Sequence, residues 1–470
     1  MPSPMFFITI LNIGFIILVI FVQRRNSAAT WAWVSAIALI PIGGFIIYMV
    51  FGQDSQKQRV FRAKTKDDNA LLATYTGLGA NEGDTTEDNR VTLFHDGVTK
   101  FEALLDDIAN ATDFIFVQYY IFRGDEVGKQ LVNALAQRAK DGLEVRLLVD
   151  GMGCQFTKKE IFKPLMDAGG IFTLFLPPAP VRINFRNHRK LVVIDGNLAY
   201  LGGSNIGKEY LGKSKRFGYW RDTHMRLTGG SVSPITLRFI MDWNFAASKK
   251  NRGKIKVDKM ELKPLYFTRN PQYFNNDPDV SVRVPPIRGA KVSIISSGPD
   301  TRYPNVLHEF VNMIISAKKS VYIQSPYFVP CDALDTALRI AALKGIDVRI
   351  MYPANPDHVF VYWAGSSYVG ELMCAGVKGY EYTRGFIHSK TLMIDSEICA
   401  VGTANMDVRS FKINFETHAF IEDSAITQEL EEAFRRDMED CRALTLEGYR
   451  QRPKTTKIRE SISRLFSPLI

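Results

Sequence analysis

The sequence predicts an α/β protein in which two tandem copies of one domain follow an N-terminal transmembrane helical hairpin. Three observations lead to this prediction. Apolar stretches typical of strands alternate with amphipathic stretches typical of helices. Residues 187–205 and 387–405 repeat one pattern of polar and apolar residues. Two long uncharged apolar runs occupy the first 53 residues.

The apolar runs predict two membrane-spanning helices within residues 1–53. No charged side chain occurs from Met1 to Gln23, and none occurs from Asn26 to Gln53. Each run can cross a hydrocarbon core about 30 Å thick, which takes roughly 20 helical residues. A cleaved signal peptide fits less well, because no basic region precedes the first run and no small-residue cleavage site ends it.

The basic residues around these runs predict the orientation of the protein in the cell membrane. Two spans place both ends of the chain on one side, and Arg24 and Arg25 lie in the loop between them. The positive-inside tendency favours a cytoplasmic location for the long C-terminal part, because more basic residues follow the second span. They are Lys57, Arg59, Arg62, Lys64 and Lys66.

The rest of the chain divides by pattern and composition. "FEALLDDIANATDFIFVQYYIF" (101–122) parallels "LHEFVNMIISAKKSVYIQSPYF" (307–328), and each copy carries a glutamine in its strand, Gln118 or Gln324. Helices alternating with strands predict two pseudo-twofold copies of a mixed, mostly parallel sheet flanked by helices. We predict a linker at 54–87, a first domain at 88–247, a basic connector at 248–285, a second domain at 286–445 and a basic amphipathic tail at 446–470.

Charge and cysteine content limit which partners and which cross-links or metal sites the sequence predicts. The net charge of +10 favours anionic partners, either nucleic acid or an acidic membrane surface. The basic run that opens the connector is either a solvated face or a lipid-attracting segment, and the tail is either an interfacial helix or a docked C-terminus. Five widely spaced cysteines make a disulfide framework or a zinc site improbable.

The repeated segment carries the chemistry. If His188 and Lys190 lie in a strand, they project from the same face, as do His388 and Lys390. Imidazole and ammonium groups side by side suit an anion that carries a transferable group, and lysine is not a usual metal ligand. We therefore predict no metal site.

Each copy continues into an aspartate and a small-residue turn. Asp195 and Asp395 lie five residues past the lysines, too far to share one substrate atom, and we expect them to hold the strand–turn geometry. The turns 202–205 and 402–405 are small and end in Asn205 and Asn405. They allow backbone N–H groups and the Asn amide to approach a phosphate oxygen.

His-x-Lys-x4-Asp followed by a glycine turn and Asn, present twice, resembles the phospholipase D superfamily over residues 88–445. The hairpin, "NFRNHRK", "GTANMDVRSF" and "NFETH" are similar to bacterial cardiolipin synthases of the phospholipase D type. The resemblance implies one pocket between the two domains, with both His-Lys-Asp motifs as the catalytic set. It implies that His188 attacks phosphorus, that His388 is the general acid and base, and that the lysines, Asn205 and Asn405 bind the phosphoryl oxygens.

The resemblance also implies an orienting carboxylate for each histidine. Asp222 of "RDTH" and Glu416 of "FETH" occupy equivalent positions in the repeat. We expect each of them to hold the histidine of its own copy, so that Glu416 controls the tautomer of His388.

The reaction implied is transfer of a phosphatidyl group between two phosphatidylglycerol molecules, giving cardiolipin and glycerol without a cofactor. The expected partners are phosphatidylglycerol and anionic membrane lipids, with no nucleic acid. Alternatives are another phosphatidyltransferase, a hydrolytic phospholipase D, a membrane-tethered nuclease, which the positive charge would also suit, or a scaffold with an inactive site.

Overall fold

The structure is a computed structural model that describes residues 4–22, 27–40, 42–44, 48, 54–75, 82–177, 184–248, 256–267, 289–465 and 467. Most of the predicted basic connector lies outside these residues, as do Lys249, Lys250, Arg252 and Lys254 of its opening basic run, whereas Lys256 and Lys259 of that run are described. The predicted domain boundaries stay predictions.

At the N-terminus, helices α1 (Pro4–Val22) and α2 (Ser27–Leu39) contact each other, and Asn12 Nδ2 donates to the Ile37 carbonyl at 3.1 Å. Within the part of the chain that the structure describes, no helix is both long and apolar enough to span a membrane. The transmembrane hairpin is therefore not supported by the structure. The described part of α2 has 13 residues, which rise about 20 Å, whereas a hydrocarbon core is about 30 Å thick.

Two similar series of helices and strands follow α2, and the first of them begins with an additional helix, α3. The first series is α3 (Asp54–Thr74), β1 (Thr85–Asp96), α4 (Gly97–Ala109), β2 (Phe114–Tyr119), α5 (Glu126–Lys140), β3 (Glu144–Asp150), α6 (Lys163–Asp167), β4 (Ile171–Phe175), β5 (Leu191–Ile194), β6 (Leu198–Gly202), β7 (Tyr219–Thr228) and α7 (Val232–Ala247). The second is β8 (Ala290–Ser297), α8 (Asn305–Ser316), β9 (Ser320–Gln324), β10 (Phe328–Val329), α9 (Asp332–Leu343), β11 (Asp347–Pro353), α10 (Val359–Met373), β12 (Lys378–Tyr382), β13 (Gly385–Ile387), β14 (Thr391–Ile394), β15 (Ile398–Gly402), β16 (Met406–Asp407), α11 (Val408–Lys412), β17 (Glu416–Glu422), α12 (Ser424–Glu439) and β18 (Cys441–Ala443). Two helices, α13 (Leu446–Gln451) and α14 (Lys454–Leu465), close the described chain.

Sixteen of the described strands form one sheet that runs through both copies, and its order shows a pseudo-twofold relation. The order is β4-β3-β2-β5-β6-β7-β1-β8-β17-β15-β14-β9-β11-β12-β18, with β13 attached to β7. Strands β1 and β8 pair antiparallel at the centre. Outward from them, β7-β6-β5-β2-β3-β4 correspond to β17-β15-β14-β9-β11-β12, and β18 extends the second copy by one strand. One hydrophobic core contains Phe116 and Leu191 of the first copy and Ile387 and Phe415 of the second. The two predicted domains therefore share one sheet and this core, and each also has a further hydrophobic core of its own.

The prediction of a mostly parallel sheet is wrong. Parallel pairing is limited to β2-β3-β4, to β9-β11-β12 and to the short β13 beside β7, and the other pairs of the large sheet are antiparallel. Parallel neighbours need a crossover connection, which α5 supplies between β2 and β3. A tight turn at 195–197 instead joins β5 to β6 as an antiparallel hairpin.

Candidate active site

Each His-x-Lys segment lies just before its strand and is held by the other copy of the domain. His188 N donates to the Phe415 carbonyl at 3.0 Å, and Phe415 N donates to the Arg186 carbonyl at 2.8 Å. In the second copy, His388 N donates to the Arg221 carbonyl at 2.7 Å, where β13 pairs with β7. The backbone therefore brings both histidines to the junction of the two copies.

The histidine–carboxylate pairs cross between the copies. His188 Nδ1 lies 2.9 Å from Glu416 Oε1, and His388 Nδ1 lies 2.7 Å from Asp222 Oδ2. The expectation that each carboxylate holds the histidine of its own copy is wrong. The reason is the backbone pairing, because the residue before each carboxylate is bonded to the other copy's histidine segment.

Each carboxylate is positioned by its neighbours in a different way. Glu416 accepts hydrogen bonds from Thr403 Oγ1 at 2.5 Å and Asn414 Nδ2 at 3.2 Å. At the position equivalent to Thr403 stands Gly203, where an added Cβ would lie 2.0 Å from Asp222 Oδ1. The shorter aspartate thus requires a glycine beside it, whereas the longer glutamate is held by a hydroxyl.

Burial keeps both imidazoles neutral. It lowers the pKa of His188 to about 4 against the attraction of Glu416, and it lowers the pKa of His388 to about 4 with the help of Lys390. Burial would raise the pKa of Asp222, yet His388 and Lys390 lower it to about 2. A neutral imidazole that donates Nδ1–H to a carboxylate keeps its Nε2 lone pair available for chemistry.

The two lysines place positive charge in the same buried centre. Each Nζ donates to the carbonyl of the histidine two residues before it, at 2.5 Å in both copies. Burial lowers the pKa of Lys390 to about 8 and that of Lys190 well below its usual value, while the charges of both Asp222 and Glu416 oppose this in each case. Because both lysines feel both carboxylates, the two motifs form one centre.

The motif aspartates hold backbone outside this centre. Asp195 accepts hydrogen bonds from the backbone N–H groups of 112, 113 and 114 at 2.8–2.9 Å, and Asp395 accepts from those of 318, 319 and 320 at 2.7–2.9 Å. Both have positive φ, 52° and 56°. These contacts fix the turn after each motif strand to the start of β2 or β9, which is the strand–turn role expected for them. A place for the two aspartates in the catalytic set, which the resemblance implied, is not supported by these contacts.

The two asparagines differ in their contacts. Asn205 Oδ1 accepts from Ile121 N at 3.0 Å, and its Nδ2 donates to Tyr210 Oη at 3.2 Å. Asn405 is buried, and its Oδ1 has no hydrogen-bond partner among the described residues. Phosphate binding by either amide stays a prediction.

Sequence reasoning missed the aromatic walls of the site. The Tyr120 ring lies 5.0 Å from the His188 ring, and the Trp220 ring lies 5.2 Å from the His388 ring. Tyr120 follows Gln118 by two residues and Trp220 precedes Asp222 by two, so their spacing from residues that the repeat singles out was the available signal. Each ring packs against one histidine and contributes to its burial.

A buried ionic network beneath the first motif was also missed. Asp242 Oδ2 accepts from Arg189 at 2.6 Å, Gln118 at 2.9 Å and Asn187 at 3.0 Å. Lys64 of α3 lies 3.4 Å from the other oxygen of Asp242. In the second copy, Asp437 accepts from Gln324 at 2.8 Å and, across the junction, from Arg221 of the first copy at 2.9 Å. The repeated glutamines thus mark equivalent supports, and Asn187 and Arg189 are the direct neighbours of His188.

No cluster of three His, Cys, Asp or Glu residues that could hold a metal ion occurs among the described residues. Lys190 and Lys390 are the basic side chains beside the histidines. Two neutral imidazoles and two lysine side chains in one buried centre are suited to transfer a phosphoryl-type group through a histidine.

Comparison with known families gives two matches. Residues 104–216 and 310–438 match the family described as cardiolipin synthase, PLD-like domain. Residues 10–53 match the family described as phospholipase D-nuclease N-terminal.

Comparison with individual proteins agrees with these matches. The chain is 44% identical to the major cardiolipin synthase ClsA of Bacillus subtilis (strain 168), with 98% of each chain covered. It is 42% identical to a cardiolipin synthase of Staphylococcus aureus, covering 98% of this chain and 95% of that one. Among solved structures, phosphatidylserine synthase of Haemophilus influenzae superposes with a TM-score of 0.61 at 14% identity, covering 86% of this chain and all of that one. The last likeness is one of fold.

Proposed function

This chain belongs to the phospholipase D-like cardiolipin synthases, and on that premise we propose that it transfers a phosphatidyl group from one phosphatidylglycerol to another, giving cardiolipin and glycerol. The observation that carries the proposal is the crossed pairing of His188 with Glu416 and of His388 with Asp222. It makes one reaction centre from both copies, with two histidines that can act in turn on one phosphorus.

In the first step we propose that His188 Nε2 attacks the phosphorus of the donor lipid. The bond from phosphorus to the terminal glycerol oxygen breaks, and His388 gives its proton to that oxygen, so that glycerol leaves. The negative charge of the bound phosphodiester raises the pKa of His388 enough for it to hold this proton. Lys190 and Lys390 stabilise the phosphoryl oxygens.

In the second step the terminal hydroxyl of another phosphatidylglycerol attacks the phosphohistidine. His388 takes the hydroxyl proton, the bond from phosphorus to Nε2 breaks, and cardiolipin forms. The Glu416 carboxylate stabilises the positive charge that His188 carries while it is bonded to phosphorus.

The test analyses the reaction products and, in a second measurement, traps the covalent intermediate. Purified full-length protein is mixed with phosphatidylglycerol vesicles and EDTA, and the lipids are read by mass spectrometry. Cardiolipin with one glycerol released per molecule is the expected result, whereas phosphatidic acid alone means hydrolysis. The absence of both products overturns the proposal. Acid quench with phosphorus-labelled donor, followed by peptide mapping, is expected to place the label on His188.

We also propose that residues 1–53 anchor the enzyme in the cell membrane with the catalytic part on the cytoplasmic side. Exposed apolar side chains on α1, such as Phe7, Leu11 and Ile17, support an apolar environment for this helix. Alkaline carbonate extraction of membranes tests the anchor, and protease protection in right-side-out vesicles tests the orientation. Release of the full-length chain by carbonate would contradict the anchor.

A further inference from the structure

Helix α14 has its polar side inward and its apolar side outward. Glu460 and Ser463 are 2% exposed, and Glu460 accepts from Arg452 Nε at 2.7 Å. Ile458, Ile462 and Leu465 are 57%, 47% and 78% exposed. Their spacing of four and then three residues places them on one face of the helix, opposite to the buried polar side.

Ion pairs and cation–ring contacts fix this orientation. Arg464 Nη2 donates to Glu371 Oε2 of α10 at 2.9 Å, and the Arg459 guanidinium lies 5.6 Å from the Trp363 ring of the same helix. The earlier residue of α14, Arg459, contacts the earlier residue of α10, and the later residue, Arg464, contacts the later one. The two helices therefore lie side by side. The outward face of α14 is therefore held in place by the fold.

Positive charge flanks the apolar face on both sides. Lys457 and Arg459 are the direct neighbours of Ile458, about 100° away from it to either side of the helix, and both are exposed. An apolar stripe bordered by basic residues is the arrangement of a helix that lies in the surface of an anionic bilayer. A second copy of the chain seated on the stripe would bring like charges together.

The same surface continues toward the catalytic centre along α10. Val359 and Phe360, in its first turn, are 56% and 57% exposed, and Trp363, which contacts α14, follows one turn later. Asp357, two residues before Val359, accepts a hydrogen bond from Tyr327 Oη, and the residue after Tyr327, Phe328 of β10, pairs with Met406, the neighbour of Asn405. The exposed apolar side chains thus lead from α14 to the rim of the site.

We propose that the outward face of α14, together with Val359 and Phe360, lies in the interfacial layer of an anionic bilayer and presents the rim of the site to lipid. The inference deepens the proposed function and rests on it, because a lipid substrate must pass from the bilayer to the histidines. It assigns a second membrane contact that is far along the chain from residues 1–53.

The first experiment labels the native full-length protein in vesicles. The vesicles contain phosphatidylcholine with a photoactivatable acyl chain, with or without phosphatidylglycerol, and the adducts are mapped by mass spectrometry. We expect adducts on residues 458–465 that increase with the anionic fraction. Labelling no stronger than that of the exposed face of α8 overturns the proposal. Labelling needs no turnover, so this result is independent of the product analysis.

The second experiment uses a double variant, Ile458→Ser with Ile462→Ser, and a control, Ile315→Ser, which changes a 57% exposed residue on α8. We expect the double variant to lose the adducts and to raise KM for vesicle-bound phosphatidylglycerol by about tenfold with kcat unchanged. The control leaves both unchanged. An unchanged KM in a normally folded double variant contradicts the proposal.

Discussion

At the scale of single residues, the chemistry depends on which carboxylate holds which histidine. His188 is bonded to Glu416 and His388 to Asp222, so every working pair contains one residue from each copy. Burial keeps the imidazoles neutral, and the buried lysines supply the charge that faces a phosphodiester. The predictions at this scale follow from these contacts.

Replacing either histidine is expected to stop transfer. His188→Ala removes the proposed nucleophile and His388→Ala the proposed acid and base, so we expect each to lower kcat by about 10³-fold or more. Cardiolipin formation from phosphatidylglycerol is the measurement. His308→Ala, at an exposed position on α8, is the control and should keep full activity. Normal turnover in either catalytic variant rules out a centre shared by both histidines.

Glu416→Gln is expected to act on His188 and not on His388. Loss of the carboxylate charge should lower kcat by about 10²- to 10⁴-fold, because the imidazole loses its tautomer control and its charge stabilisation. In the downfield region of the proton NMR spectrum, the two hydrogen-bonded Nδ1–H groups can be observed separately. The signal of His188 should shift or vanish while that of His388 stays. A change at His388 alone would show that the crossed pairing is wrong.

The pH profile should show an alkaline limb that belongs to Lys390. Its ammonium group has a pKa of about 8, so it is charged below that pH and neutral above it. We expect kcat/KM to fall as the pH rises through about 8, as phosphate stabilisation is lost. Lys390→Arg keeps the charge, since arginine stays protonated, and should move the limb to higher pH even if the rate is lower. A limb that stays near pH 8 in this variant contradicts the assignment.

At the scale of elements, helix α3 joins the N-terminal region to the catalytic centre. Phe61 is 1% exposed, and its ring lies 5.2 Å from that of Phe415, the neighbour of Glu416. Lys64 lies 2.6 Å from Asp68, 2.8 Å from Asp300 and 3.4 Å from Asp242. The helix is thus packed against the support of His188 by both apolar and ionic contacts.

Removing the Lys64 charge should therefore destabilise the protein strongly. Lys64→Met removes the nearest cation from Asp68 and Asp300, and breaking comparable buried pairs costs about 3–5 kcal/mol. Urea unfolding followed by tryptophan fluorescence is the measurement. Lys66→Met, at an exposed position on the same helix, should change the free energy of unfolding by less than about 0.5 kcal/mol. Equal stability of the two variants would show that the network adds nothing.

At the scale of the whole molecule, the two copies share one sheet and one hydrophobic core. Their junction buries His188 and His388, and packing within each copy buries His224 and His418, so burial lowers the pKa of all four imidazoles. Buried neutral histidines therefore contribute to how stability depends on pH.

Stability should fall as the pH is lowered from about 6.5 toward 4. The pKa of His188 and of His388 is about 4 in the folded protein, against an ordinary value of 6.5. Between these values the unfolded chain binds more protons than the folded one, so protonation favours unfolding. Urea midpoints across this range measure the slope. The double variant His188→Ala with His388→Ala should have a shallower slope, and an equal slope would contradict the buried neutral state.

The sequence by itself determined the duplication, the two His-x-Lys motifs, and the roles of Asp195 and Asp395 as turn residues. Spacing along the chain sets which side chains share a strand face or a turn, and these are local properties. For the same reason the pattern located Asp222 and Glu416 as equivalent residues. It also identified the family through motifs that span only a few residues each.

Only the tertiary structure decided which carboxylate serves which histidine, and that the two copies form one mostly antiparallel sheet. Local periodicity is the same whether His188 faces Asp222 or Glu416, because that choice depends on how the copies dock. Lys64 shows the same limit, since its three carboxylate partners lie up to 236 residues away along the chain. The helix α14 shows it too, since only docking on α10 reveals that its apolar face points outward. Contacts between distant segments arise from packing, and the local sequence pattern does not predict how distant segments pack.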